Sequence, residues 1–287
     1  MLIDLQVHST YSDGYLSPTE LVDFLARQGV KAASLTDHNT VGGWSEFKRA
    51  CEKHGIKPIV GIELYTKLNC KHFSILWYNF DHADGELHEM LRSSQVRRRN
   101  QVRKMLKKMT GRGFKIKIDQ ILDKYNHYIS INHLIDDIMA ISANRDKVKR
   151  ELGNARPRQE EIIHHYFFRS KNTKLNNSYI DLKRIIKLKK RIGGQLIFNH
   201  PGRYNQLNKE LVAELKKLGV NGLEVLSPHH SVGAVLYAQY LAQELNLITT
   251  GGSDFHLFES ARGALKTSWQ YFKIDSNNLK AINKIIG

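Results

Sequence analysis

The sequence predicts an α/β fold, a distorted seven-stranded (β/α) barrel that carries a helical insertion. Strand and helix patterns alternate over residues 1–80 and again in the last third of the chain, which is typical of parallel strands joined by crossover helices. Residues 86–178 break this alternation. Side chains of metal-binding types stand at the predicted strand ends, where the functional groups of α/β barrels gather. We therefore expect a barrel formed by residues 1–85 and 179–287.

The first third of the chain contains start and stop signals for its helices. Ser17 is a favourable N-cap, Pro18 occupies the first helical position, and Glu20 stands three residues after the cap. Gly29 and Gly55 follow the two helices as C-terminal stops. The predicted strands are Leu2–His8, Ala32–Thr36, Pro58–Glu63 and His72–Trp77, and the predicted helices span 17–29 and 41–54.

The last third of the chain repeats the alternation of strands and helices. The predicted strands are Gln195–Asn199, Gly222–Leu226 and Leu247–Gly251, and the predicted helices span 181–192, 209–218 and 231–245. These strands raise the count to seven, which favours a distorted barrel over an open sheet.

The insertion, residues 86–178, is predicted to be helical and basic, with an Asn- and Lys-rich stretch of poor periodicity at 142–178. We expect it to pack over one end of the barrel and to cap the substrate. Arg98 and Arg99 fall on the stripe of its first helix that apolar residues otherwise occupy, so both are expected to face inward, toward the barrel mouth. Inward arginines suit phosphate recognition, or else they pair with carboxylates.

The formal net charge of +16 is unevenly distributed. Residues 92–117 contain eleven Lys and Arg and no Asp or Glu, and residues 145–191 contain fifteen against five. This clustering favours a functional surface for an anionic partner (nucleic acid, nucleotide or membrane surface) over a general enrichment in lysine. No apolar run approaches the length of a membrane span, and the two cysteines indicate reduced thiols in a cytoplasm.

Polar residues at separate strand ends predict a metal centre. Gln6 and His8 point to one face of a strand, and Asp254 and His256 repeat that spacing. One histidine alone would more often be structural, but this many ligands at the ends of barrel strands indicate a cluster. Imidazole and carboxylate ligands together suit Zn, Mn or Fe without choosing among them. The candidate ligands are Gln6, His8, Asp13, His38, Glu63, His72, His200, Asp254 and His256.

Five segments resemble the motifs of a known family, the polymerase and histidinol phosphatase (PHP) domain. They are Ile3–Gly14, Thr36–Thr40, Gly61–Glu63, Asn199–Tyr204 and Gly252–His256.

The insertion, with Arg97–Arg99 and Ser130–His133, resembles the TrpH-like subgroup. That subgroup includes 3′,5′-nucleoside bisphosphate phosphatases and a 5′-to-3′ exoribonuclease activity.

The resemblance implies two to three divalent metal ions (Mn, Zn or Fe) in three positions. The first would be held by Gln6, His8, Glu63 and Asp254, the second by Glu63, His72 and His200, and the third by Asp13, His38 and His256. The family has histidine where this chain has Gln6, so the first position is expected to be weak, open, or selective for a hard ion. A metal-bound hydroxide is the expected nucleophile, because clustered cations lower the pKa of bound water.

These observations lead to an expected function, a metal-dependent phosphoesterase acting on 3′,5′-nucleoside bisphosphates or on the 5′-terminal nucleotides of short RNA. Arg98, Arg99, His133 and Arg203 are the candidate substrate-binding residues. The alternatives are a phosphatase for a small metabolite of the histidinol-phosphate type and a metal-depleted RNA-binding module. Nucleotide or short RNA is the expected partner, without a membrane or an obligate protein partner.

Overall fold

The computed structural model describes residues 1–168, 175, 178–204, 206–257 and 272–287. The chain divides into two compact units, one formed by Met1–Met90 and Tyr179–Gly287 and the other by Leu91–Ser178. We call the first the barrel unit and the second the insertion. Part of the Asn- and Lys-rich stretch, residues 169–174 and 176–177, lies outside the described residues.

The barrel unit is built on a sheet that has nine strands within the described residues. The strands are β1 (Leu2–Val7), β2 (Ala32–Leu35), β3 (Lys57–Leu68), β4 (Lys71–Tyr78), β5 (Ile180–Asp181), β6 (Gln195–Phe198), β7 (Gly222–Leu226), β8 (Ile248–Gly251) and β9 (Ile274–Asp275). Their order in the sheet is β8-β7-β6-β4-β3-β2-β1-β9, with β5 paired to β3.

A parallel bridge between Val7 and Phe255 joins β1 to the segment that follows β8, and the amide of His8 donates to the carbonyl of Phe255 at 2.9 Å. The sheet is therefore nearly closed into a barrel, and the predicted α/β barrel class is confirmed. The expectation that the strands are parallel is wrong for β4, which runs antiparallel to both β3 and β6. A hairpin that needs no crossover helix joins β3 to β4, so the chain reverses there.

Helices connect and cover the strands of the barrel unit. Ser17 caps the first helix, α1 (Pro18–Arg27), through its hydroxyl and Glu20 completes a capping box, as the sequence predicts. Gly55 ends the second helix, α2 (Trp44–His54), in the left-handed conformation. The helices are α1 (Pro18–Arg27), α2 (Trp44–His54), the start of α3 (Gly85–Gly111), α8 (Leu182–Ile192), α9 (Lys209–Leu218), α10 (Val232–Glu244) and α11 (Asn283–Ile286).

The apolar faces of α1 and α2 pack in one buried cluster with Val7, Leu35 and Phe255 from the ends of the strands. A second cluster joins Leu5, Leu76 and Ile197 to the C-terminal helix. Burial of this apolar surface fixes the strand ends that carry the polar residues described below.

The insertion has a hydrophobic core of its own. It contains the rest of α3, α4 (Ile118–Asp123), α5 (Ile131–Met139), α6 (Ser142–Leu152) and α7 (Gln159–Ile163), followed by a π-helical turn at His164–Phe168. The core residues include Val102, Leu106, Phe114, Leu134, Ile138, Tyr166 and Phe167. Across the described part of the chain, no helix combines the length and the apolar character that crossing a membrane requires.

Candidate metal centre

Imidazole and carboxylate groups from separate segments of the barrel unit converge in two groups. The first consists of His8, Asp13, His38 and His256, and the second of His8, Glu63 and Asp254. Within each group the possible ligand atoms all lie within 4.8 Å of one another. The groups share His8, so together they form one polynuclear candidate site.

Asp13 is the centre of the first group. Its oxygens lie 3.3 Å from Nε2 of His38, 3.3 Å from Nε2 of His256 and 3.6 Å from Nδ1 of His8. The ring of His8 stacks against those of His38 and His256, with centroids 4.7 and 4.3 Å away. We call these four residues the Asp13 group.

The second group is built around the other nitrogen of His8. Its Nε2 lies 3.1 Å from Oδ1 of Asp254 and 3.3 Å from Oε2 of Glu63. His200 approaches the second oxygen of Glu63, with Nε2 3.6 Å from Oε1. We call His8, Glu63 and Asp254 the Glu63 group.

Gln6 lies against the Glu63 group. Its side-chain nitrogen donates to Oε2 of Glu63 and to Oδ1 of Asp254, each at 3.0 Å. Its side-chain oxygen is buried and has no hydrogen-bond partner. The amide therefore faces the two carboxylates with its donor atoms.

Glycine is required at two positions that bring the segments together. A Cβ at Gly14 would lie 2.2 Å from the carbonyl oxygen of His8, so the turn that presents Asp13 needs a glycine there. A Cβ at Gly252 would lie 2.4 Å from the Cβ of Gln6. These close approaches let the loop after β8 pass directly beside β1.

Two of the candidate ligands have unusual backbone conformations. His200 has a φ of 23° and Asp254 a φ of 51°, in the left-handed region that non-glycine residues rarely occupy. The amide of His200 donates to the buried carboxylate of Glu224 at 3.0 Å, which helps to hold that conformation. Backbone strain of this kind concentrates at functional sites.

The electrostatics of the site favour a charged network. Burial alone would raise the pKa of Glu63 and lower that of His8. The nearby imidazoles instead hold the pKa of Glu63 well below its ordinary value, and hydrogen bonds with Asp254 and Glu63 hold the pKa of His8 well above its own. Against the effect of burial, the charges of His38 and His256 hold the pKa of Asp13 well below its ordinary value, and the charge of His256 with hydrogen bonds from His229 and His8 does the same for the pKa of Asp254. Positive charge at this place is therefore stabilised strongly.

This donor set fits divalent cations. Ligands about 2.1 Å from a common ion lie at most roughly 4.2 Å apart, and the nitrogen–oxygen separations given above, 3.1 to 3.6 Å, fall within that limit. Nδ1 of His8 is buried and makes no hydrogen bond, so it can bind an ion in the Asp13 group once the ring gives up that proton. The predicted cluster of divalent cations is supported by these groups.

His72 is the one predicted ligand that the structure places away from the others. Glu63 pairs with Leu76 across the β3–β4 hairpin, whereas His72 pairs with Lys67, four residues further along. That offset is roughly 13 Å at the rise of a β-strand. The imidazole of His72 stacks on Tyr179 with centroids 4.0 Å apart. The expected position formed by Glu63, His72 and His200 is therefore not assembled, because the strand register separates His72 from Glu63.

The substrate-binding candidates lie in different surroundings. Arg203 reaches the metal centre, with Nη1 3.4 Å from Oδ2 of Asp254. In the insertion, Arg98 is 3% exposed, donates to the carbonyl of Ile129 and lies over the ring of Tyr128.

Arg99 donates to the carbonyls of Leu122 and Tyr125 and pairs with Asp123 at 2.9 Å. His133 stacks on the ring of Tyr125. A role of Arg98, Arg99 and His133 in substrate binding stays a prediction.

Two further residues of the site were not among the predicted site residues. His229 follows β7 and approaches Oδ2 of Asp254 at 2.6 Å, beside Arg203. Glu224 on β7 is fully buried, and burial together with the charge of Asp254 raises its pKa well above the ordinary value. The sequence signal for His229 is its position shortly after a barrel strand, where site residues gather. The sequence contains no such signal for Glu224, because this residue lies inside an apolar strand.

Comparison with known proteins agrees with this geometry. Over 88% of its length the chain is 29% identical to a 5′-3′ exoribonuclease of Haemophilus influenzae, 89% of which is covered. It is 26% identical to a 3′,5′-nucleoside bisphosphate phosphatase of Chromobacterium violaceum, over 88% of the chain and 87% of that protein.

A candidate metal-dependent phosphoesterase structure from Bifidobacterium adolescentis superposes with a TM-score of 0.75 at 21% identity, over 91% of this chain and 90% of that one, a likeness that concerns the fold. The predicted family resemblance and the predicted hydrolase class are confirmed by the relatives. The family model of the PHP domain matches residues 4–218, three quarters of the sequence, and the chain belongs to the PHP domain family.

Proposed function

We propose that this protein is a metal-dependent phosphoesterase that hydrolyses 3′,5′-nucleoside bisphosphates or removes 5′-terminal nucleotides from short RNA. The observation that carries the proposal is the convergence of the Asp13 and Glu63 groups on one shared imidazole, His8. Such a cluster is suited to neutralising the charge of a phosphate ester during displacement. The names of the relatives supply the substrate class.

We propose two divalent cations, Mn, Zn or Fe, one at each group. When bound, they supply positive charge to the phosphate and activate water for attack. A third cation beside His200 is not part of the proposal, because His72 lies elsewhere.

The protein's own side chains position the substrate. Arg203 is 39% exposed at its side chain, so its guanidinium can exchange Asp254 for a phosphate oxygen at the mouth of the site. His229 is held at the same carboxylate oxygen and is 30% exposed, so it can donate a hydrogen bond to the ester. Asp254 therefore faces the cluster with one oxygen and orients two substrate-facing groups with the other.

The charge of the insertion supports a nucleotide or RNA substrate. Residues 91–178 contain 21 Lys and Arg against 8 Asp and Glu, so they carry +13 of the net +16. A small monophosphate does not need such a surface, whereas a polyanion does. We also propose a cytoplasmic location, supported by two free cysteines, and no obligate protein partner.

The test is hydrolysis in Mn²⁺, measured as phosphate release from a nucleoside 3′,5′-bisphosphate and from histidinol phosphate, and as nucleotide release from short 5′-phosphorylated RNA. We expect the first two to be hydrolysed, and His38→Ala and Glu63→Ala to lose at least a hundredfold in rate. His54→Ala serves as the matched control, because this histidine pairs with Asp23 on the surface. Preference for histidinol phosphate would favour the small-metabolite alternative, and no hydrolysis with retained RNA binding would favour the binding module.

A further inference from the structure

We infer that the side-chain N–H groups of Gln6 compete with a cation for the carboxylate oxygens of the Glu63 group. A cation therefore binds tightly at the Asp13 group and only weakly between Glu63 and Asp254. This inference rests on the proposed metal centre and concerns how this chain fills it. The protein would therefore bind its two cations in two steps with different affinities.

The first argument is competition for the same lone pairs. Oε2 of Glu63 and Oδ1 of Asp254 are the oxygens nearest to Nε2 of His8, and both accept from Nε2 of Gln6 at 3.0 Å. A cation bound there by His8 must take those oxygens from the amide. Hydrogen bonds between an amide and a carboxylate are among the stronger ones, and these two are fully buried.

The second argument is the direction of the amide oxygen. Oxygen is the only ligand atom that Gln6 offers, and it is buried without a partner while the nitrogen faces the carboxylates. The backbone of Gln6 is fixed, because its backbone N–H donates to the carboxylate of Asp4 and Gly252 packs against its Cβ. To become a ligand, the side chain must turn its amide over inside a closed space and break both hydrogen bonds.

The third argument is that the Asp13 group is independent of this amide. Its carboxylate faces three imidazoles, those of His8, His38 and His256, at 3.3 to 3.6 Å. His8 turns Nδ1 toward this group and Nε2 toward the other, and because a neutral imidazole has a lone pair on only one nitrogen, the ring binds a cation at one position at a time. The Asp13 group is therefore the better preformed of the two.

The experiment is a titration of the metal-stripped full-length protein with Mn²⁺, followed by calorimetry and native mass spectrometry. For the natural sequence we expect one tight cation and a second bound at least tenfold more weakly. Gln6→His adds an imidazole and should bring the second affinity to within about threefold of the first. Two equally tight cations in the natural protein would overturn the inference.

Gln6→Met separates the amide's two possible roles. Methionine has a similar size but neither an N–H donor nor an amide oxygen. If the amide competes with the cation, the second Mn²⁺ binds at least as tightly in Gln6→Met as in the natural protein. Weaker binding in Gln6→Met would mean that the amide oxygen is a ligand, and the inference would be wrong.

Neither measurement involves a substrate. A protein that binds Mn²⁺ in two unequal steps but hydrolyses no phosphate ester would refute the proposed function and leave this inference standing. Hydrolysis of a phosphate ester by a protein that binds two cations equally tightly would support the proposed function and refute this inference. The electron paramagnetic resonance of bound Mn²⁺ is a second readout, because spin coupling between neighbouring ions should appear in Gln6→His at lower metal ratios.

Discussion

The positions of Glu63 and His72 show how strand register decides which side chains share a cation. Both lie on the hairpin of β3 and β4, and both are the residue types that bind metals. Pairing of Glu63 with Leu76 and of His72 with Lys67 places them four residues apart along the ladder. Because a strand rises about 3.3 Å per residue, no ion can be bound by both side chains.

We therefore expect His72→Ala to keep its metal and its activity. Mn²⁺ content and phosphate release should stay within about twofold of the natural protein, whereas His38→Ala should lose a cation. Metal analysis of the two variants, prepared side by side, checks this. Loss of a cation in His72→Ala would show that the hairpin rearranges when metal binds.

Gly252 lies too close to Gln6 to accept a side chain. A methyl group at Gly252 would meet the backbone nitrogen of Gln6 at 2.6 Å, so Gly252→Ala must push β1 from the loop after β8. Overpacking of this kind costs about 1–3 kcal/mol of unfolding free energy. Urea unfolding measures it, with Gly85→Ala as control because a Cβ there meets nothing within 4 Å. Equal stability of both variants would contradict the prediction.

The helix α3 differs from an ordinary surface helix because it buries a charged side chain. Its basic residues divide between two environments: Arg98 is buried against Ile129 and Tyr128, whereas Arg103 forms an exposed pair with Asp119. A buried guanidinium that hydrogen-bonds to a carbonyl stabilises its surroundings, while an exposed ion pair contributes little. Arg98 therefore contributes to the stability of the insertion, independently of any role in binding phosphate.

Arg98→Ala is expected to destabilise the insertion by about 2 kcal/mol, since a charged hydrogen bond and packing on an aromatic ring are both lost. Arg103→Ala on the same helix should change its stability by less than about 1 kcal/mol. Hydrogen exchange of the amides in 91–178 measures both effects. If the two variants exchange alike, the buried contacts of Arg98 contribute no stability.

For the whole molecule, the uneven charge predicts a salt-dependent interaction with RNA. The barrel unit has 23 Lys and Arg against 20 Asp and Glu, so nearly all of the excess lies in the insertion. Binding of single-stranded RNA should weaken with salt, with a slope of about −0.7 in log affinity per neutralised phosphate. Fluorescence anisotropy at several salt concentrations gives this slope.

Replacement of Lys104, Lys107 and Lys108, which are exposed on α3, by Gln should make the slope less steep. The matched control replaces Lys31, Lys53 and Lys57, which are exposed near the amino ends of β2 and β3. Equal slopes in the two triple variants would place the RNA contact outside α3.

Much of the fold was predictable because it follows local rules. The structure has the predicted cap at Ser17 and the predicted stop at Gly55. The strands and helices alternate as predicted, and their bounds lie within three residues of the predicted ones, apart from the longer β3. The reversal at β4 was not predictable from alternation, since a strand's direction depends on which neighbour it pairs with.

The sequence by itself determined the α/β barrel class, the helix ends and the set of residues that could bind metal, because periodicity, caps and residue chemistry are local properties. Only the tertiary structure decided which of those residues meet. It separated His72 from Glu63 through strand register, added His229 beside Asp254, and turned the nitrogen of Gln6 toward two carboxylates. Distances between residues far apart in the chain depend on pairing and packing, which no single segment specifies.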